Sequence, residues 1–239
     1  MRISQITVHI AQQNWLALIL DFIIVVAGVF LGIQLGNWNA ARADDIAFTA
    51  ALEQLHEEIE ANRELVAAYS ATYEQRFTIV QNAIEAMQEC DAARETEINL
   101  ALQILRSTPG FYPRMAAVHD LTEDDAMKRL QTPQQRQSIQ ELRRILERVD
   151  EGSGFLEAIP FETPIEQNPL IRYDESGEDT FMPGQLIRDI RLAVPVSEAC
   201  TDESLKKKFY EYERVSHFTQ ILANLADTAL NEAETSLGL

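Results

Sequence analysis

The sequence predicts an all-α fold, with one N-terminal transmembrane helix that continues into an elongated antiparallel helical bundle. Three observations carry that prediction. The stretch from Trp15 to Trp38 is the one run long and apolar enough to enter a bilayer. From Asn37 to Thr108 there is neither proline nor glycine, which permits a very long helix. After Pro195 both residues are absent again until Gly238, so a second long helix can lie antiparallel along the first. The expected domains are a short N-terminal or interfacial segment at 1–14, a transmembrane helix at 15–38 and an acidic helical extramembrane domain at 39–239. Within the last, 160–195 reads as an irregular loop region.

The span comes first. A bilayer core is ~30 Å thick and a helix rises ~1.5 Å per residue, so about 20 apolar residues are needed. Trp15 at one end and Asn37, Trp38 and Asn39 at the other suit the two interfaces as a belt. A cleaved signal peptide would want a basic start, a shorter apolar core and a small-x-small site. Here Arg2 is the one early cation, and Gln34 and Asn37 follow the core, which favours an uncleaved signal anchor. Gly28, Gly32 and Gly36 recur every four residues and share one helix face, where small residues let another helix approach closely. Glycine is also common in membrane helices without such a role. Asp21 has two readings. Either it marks the membrane boundary, with Ile3 to Leu20 as an interfacial helix, or it pairs within the bilayer with a cation on a partner. Arg2 precedes the span, while Arg42 follows it beside Asp44 and Asp45; acids count little, and the balance leans to a cytoplasmic N-terminus. The expected location is a bacterial inner membrane, crossed once, with the C-terminal domain in the periplasm.

Along the body, Phe48, Leu52, Leu55, Ile59, Val66, Tyr69, Tyr73, Phe77, Val80, Ile84 and Met87 step mostly by four and three, a coiled-coil-like stripe of period near 3.5. Asn62 fills the slot between Ile59 and Val66, where a buried amide would fix coiled-coil register. Ile98, Leu102 and Leu105 restore a helical face that ends before Pro109 and Gly110. Thr122 reads as an N-cap with Glu123, Asp124 and Asp125 in the first turn. Thr132, Pro133 and Gln135 form a clearer start, a capping box with proline at the first helical position. That helix carries Ile139, Leu142, Ile145, Leu146 and Val149 and is expected to stop at Gly152–Gly154. Gln185 to Leu192 reads as a short helix. The last helix starts at Thr201–Glu203 and buries Leu205, Phe209, Tyr212, Val215, Phe218, Leu222, Leu225 and Leu230.

Composition excludes some functions. A formal charge of −18 argues against nucleic acid, whose phosphates need Lys and Arg patches. Cys90 and Cys200 are too far apart for a CxxC redox or zinc motif; they are either a disulfide of an oxidising compartment or two buried thiols. His9, His56, His119 and His217 have no His or Cys within three to five residues, so no metal site is expected. His56 with Glu57, Glu58 and Glu60 reads as a solvated helix face rather than a cation site. Lys206–Lys208 reads as surface solubility or a dock for acidic groups. Tyr69, Tyr73, Tyr210 and Tyr212 read as packing. No phosphate loop, nucleophile elbow, dinucleotide fingerprint or zinc-protease motif is present, so neither catalytic residues nor a cofactor are expected.

The run Asp21 to Asn39, with its Ile/Val stretch, spaced glycines, Gln34 and Asn37-Trp38-Asn39, followed by Arg42, resembles the N-terminal signature of an uncharacterised bacterial single-span membrane protein family. The run Pro113 to Leu121, followed by Gln134 to Ile145, is similar to that family's second block. The resemblance implies topology and Asp21 as the start of the span, and brings no catalytic residues. The chain lacks the Lys/Arg-rich start usual there. Taken together, the expectation is a non-enzymatic, membrane-anchored structural or accessory protein. It meets membrane lipid and self-associates as a homo-oligomer, or docks onto a larger membrane complex, an energy-transducing one among the candidates. The alternative is a periplasmic ligand-binding, sensor-like bundle with 160–195 as its lid.

Overall fold

The computed structural model describes residues 15–174 and 188–238, with side-chain surroundings from Ile19 onward. The expectations for 1–14, the interfacial start of the chain and Glu175 to Ile187 lie outside these residues. The described chain is overwhelmingly helical, as expected, and divides between Ala50 and Ala51 into two compact units. Helix α1 (Trp15–Glu89) runs unbroken through both this division and the expected boundary after Trp38.

Helix α1 is 75 residues long. It ends at Cys90, which sits in the left-handed region at φ 53°. The Asp91 N–H reaches back to the Ala86 carbonyl, as in the closing turn that glycine usually provides. The Asp91 carboxylate then accepts from the Ala93 N–H and starts a single 3-10 turn at Ala92–Arg94. Cysteine rather than glycine occupies the left-handed site because its side chain is bonded to Cys200, Cα to Cα 5.4 Å away.

Helix α2 (Glu95–Leu105) buries Ile98, Leu102 and Leu105 as anticipated. Arg76 of α1 closes its C-terminal end, donating to the carbonyls of Ile104 at 3.0 Å and Ser107 at 2.5 Å, where a cation also meets the negative end of the helix dipole. Helix α3 (Ala116–Glu123) contains Thr122, whose hydroxyl turns back to the Val118 carbonyl. The expected cap at Thr122 is therefore displaced: Asp124 caps α4 (Asp125–Leu130) by accepting from the Ala126 and Met127 N–H groups. The capping box at Thr132 and Gln135 forms as predicted and opens α5 (Pro133–Glu162).

Helix α5 does not stop at Gly152 or Gly154, contrary to expectation. Glycine costs only ~1 kcal/mol in a helix, and tertiary packing overrides that. The packing is specific at Gly152, where a Cβ would come within 2.9 Å of Leu222. A 3-10 turn follows at Ile165–Gln167. The short helix expected at Gln185–Leu192 is not formed in its described part. Ile190–Leu192 is strand β2, paired antiparallel with β1 (Ile171–Tyr173), Ile171 opposite Leu192. Two amides one turn apart on α2 take up the ribbon's free backbone groups. Asn99 accepts from the Leu192 N–H at 2.9 Å, and Gln103 bonds both the N–H and the carbonyl of Ile190. A four-residue α6 (Val196–Ala199) leads to α7 (Glu203–Leu237), capped by Asp202 through the Leu205 N–H.

Within the second unit α7 runs antiparallel to α1 and to α5. Arg63 meets Glu234 and Asn231, Arg76 meets Tyr212, and Gln88 meets Tyr210. Against α5, Lys208 donates to Thr163 and Ser138 bonds Ser236. One core gathers Val80, Met87, Ile98, Leu102, Leu205 and Phe209 beside Cys200 and the ribbon.

Candidate functional site

The first feature that stands out is what remains uncovered. From Phe22 to Leu35 every large apolar side chain on α1 is exposed, Phe22 at 68% and Leu35 at 64%. A face of that kind is costly in water, at ~25 cal/mol per Å² of apolar surface. The helix holding it is the one described helix long and apolar enough to cross a membrane. Gly28, Gly32 and Gly36 fall on it, and among the described residues nothing lies within 4 Å of where a Cβ would sit. Asp21 is exposed within the same helix, and so are Asn37 and Asn39. Trp38 carries the Arg42 guanidinium 5.8 Å from its ring centre, one turn on. Trp15 begins the helix; its side chain lies outside the described surroundings.

The heptad stripe of α1 is a different surface. Much of it is covered by the chain itself. Leu55, Ile59, Val66, Tyr73, Val80 and Met87 are all buried. Asn62 is buried too, yet it fixes no coiled-coil register. Its side-chain amide lies along the Arg114 peptide, Nδ2 donating to the carbonyl and Oδ1 accepting from the N–H, both at 2.8 Å. Tyr69 donates to the Pro109 carbonyl at 2.7 Å and sets its ring, tilted, 5.7 Å from that of Phe111. Burial pushes the Tyr69 phenol up to about 12 and raises Tyr73 and Tyr212 as well, so all three hold their protons.

Glu58 completes this row and overturns the reading of His56 to Glu60 as one solvated face. It is buried, and Oε2 accepts from the Ala117 N–H at 2.7 Å, capping α3. Oε1 has no hydrogen-bond partner among the described residues. The stripe contained the signal: Glu58 lies three residues after Leu55 and four before Asn62, on the inward face. Desolvation raises its carboxyl above the usual range. The Ala117 N–H, His119 and Arg114 pull it down, and Asp120 pushes it up further. Since the folded carboxyl holds its proton more tightly, the stability it contributes is full below the unfolded value of 4.5 and is lost as pH rises through the folded value. Glu58→Gln keeps an oxygen for Ala117 and removes the buried charge. It should therefore melt higher than the natural protein at about pH 7.5, with the gap closing towards pH 4; an equal gap at both pH values would refute the assignment.

The remaining candidates are consumed locally. Among the described residues no group of His, Cys, Asp and Glu forms a metal cluster. Glu123 pairs with Arg143, Asp124 caps α4, and Asp125 pairs with Lys128. Of the lysine triplet, Lys206 pairs with Glu203 and Lys208 with Glu211. Cys90 and Cys200 are joined, which resolves their two readings in favour of a disulfide. No protein family, curated protein or solved structure matches the chain.

Proposed function

We propose that this chain is a non-enzymatic, single-span membrane protein that self-associates or serves a larger membrane complex, with the open glycine row as its contact face inside the bilayer. The observation that carries this reading is that row. Three glycines share a face on an apolar helix that nothing else among the described residues covers. In lipid no hydrophobic force draws helices together, so close backbone approach at small residues supplies the contact. The Cys90–Cys200 disulfide supports placing the helical bundle in an oxidising compartment, the periplasm, with the N-terminus cytoplasmic. The N-terminal resemblance to a single-span bacterial family points the same way. Gly28→Leu with Gly32→Leu is expected to shift the detergent-solubilised protein to its monomer size, or to release it from its native complex. An unchanged size by light scattering, with the complex intact, would sink the idea.

A further inference from the structure

A second surface, unpartnered among the described residues, lies on the body between α5 and α7. Gly152, Phe155, Ile159, Arg214, Phe218 and Leu222 line a groove of about 350 Å³. Phe155 is 67% exposed and Phe218 52%. Large aromatic rings standing out together on a soluble surface mark an interaction site more often than they mark chance. The sequence counted Phe218 and Leu222 on the buried stripe of α7, yet the buried face there is Val215, Thr219, Ala223 and Ala226. Phe218 instead turns outward, in line with Ile221, itself 46% exposed.

The charges around the groove specify its occupant. Arg214 sits on its rim and makes no ion pair or hydrogen bond among the described residues. Glu162 is exposed and likewise unpaired. It lies two helical turns beyond Phe155, on the same stripe of α5. Thr163 is level with Lys208 and Gly152 with Leu222, so Phe155 and Phe218 stand at the same height. Glu162 then stands about one turn, ~6 Å, from the height of Arg214, within reach of its side chain.

We infer that this face binds a second copy of the same chain. A two-fold axis running along α5 and α7 preserves heights and sets each α7 against the other copy's α5. Phe218 then meets Phe155 of the second copy in a four-ring centre, and Arg214 reaches Glu162 of the second copy, twice over. A chain of net charge −18 repels its own copy across most of its surface. This face lowers that repulsion, with an apolar centre and a cation and an acid placed to complement each other, while Glu151, exposed one turn before Phe155, adds an acid at its edge. The inference rests on the self-association proposed above and gives it a surface outside the bilayer.

The test uses the full chain in detergent, with its dimer dissociation constant read by analytical ultracentrifugation. Arg214→Glu and Glu162→Arg are each expected to weaken the dimer at least about tenfold, Phe218→Ser by more, and the double reversal to restore it. Circular dichroism and an intact disulfide show that each variant is folded. Single reversals without effect, or a double reversal that does not recover, overturn the inference. If the glycine variants dissociate the dimer while these do not, the bilayer contact stands and the α5–α7 surface fails. If only the α5–α7 variants act, the reverse holds. A natural protein that is monomeric throughout refutes both.

Discussion

Replacing Cys90 and Cys200 together by alanine is expected to lower the unfolding free energy by about 2–5 kcal/mol. The bridge closes a loop over a sequence separation of 110 residues, so its loss frees a large unfolded ensemble. It also joins two things that need holding. Cys200 is 2% exposed in the core with Leu205 and Phe209. Cys90 holds a left-handed conformation that costs a residue with a Cβ ~1–2 kcal/mol. A second variant separates these contributions. Cys90→Gly with Cys200→Ala also lacks the bridge but relaxes the left-handed site, and it should recover ~1 kcal/mol relative to the double alanine. Urea melts of the three proteins decide the matter, and equal midpoints would refute it. The same residues test location. Thiol labelling of intact cells without reductant should leave both cysteines unmodified; rapid labelling in lysates made under denaturing conditions would refute an oxidising compartment.

The second large effect is expected at Asn62. Asn62→Leu fills the same volume but strands the N–H and carbonyl of Arg114, one donor and one acceptor that the amide now serves at 2.8 Å each. Buried unpaired groups cost ~1–3 kcal/mol apiece, so a loss of about 2–4 kcal/mol is expected. Asn62→Asp should fall almost as far, because a carboxylate can accept from the N–H but faces the carbonyl with a second negative oxygen. Limited proteolysis adds a local readout: cleavage within 109–115 should precede global unfolding in both variants and not in the natural protein. Loss confined to the global midpoint would show that Asn62 is merely part of the core.

Much of the architecture was legible in the residue pattern, for physical reasons. Absence of proline and glycine removes the usual terminators, and α1 accordingly runs to Glu89. Caps are local chemistry, so Thr132 with Gln135 and Asp202 could be read directly. The failures occurred where a distant partner decides. Gly152 reads as a stop until Leu222 is known to press against it. Ile190–Leu192 has the apolar content of a helix end, and becomes a strand because Asn99, Gln103 and β1 offer its backbone partners. Glu58 looks like one acid among several until the Ala117 N–H arrives above it.

The sequence by itself determined the class of the fold, the one apolar helix able to enter a bilayer and its row of glycines. These depend on hydropathy and on spacing along a single helix, which are properties of neighbouring residues. It also determined the inward stripe of α1. Only the tertiary structure decided what covers that stripe, because burial is a relation between distant segments. The partners are the 109–115 segment held by Asn62 and Tyr69, the start of α3 held by Glu58, and α7 held by Arg63 and Arg76. It alone decided between a bridge and two thiols for Cys90 and Cys200, and moved Phe218 from the expected buried stripe to an exposed face beside Phe155.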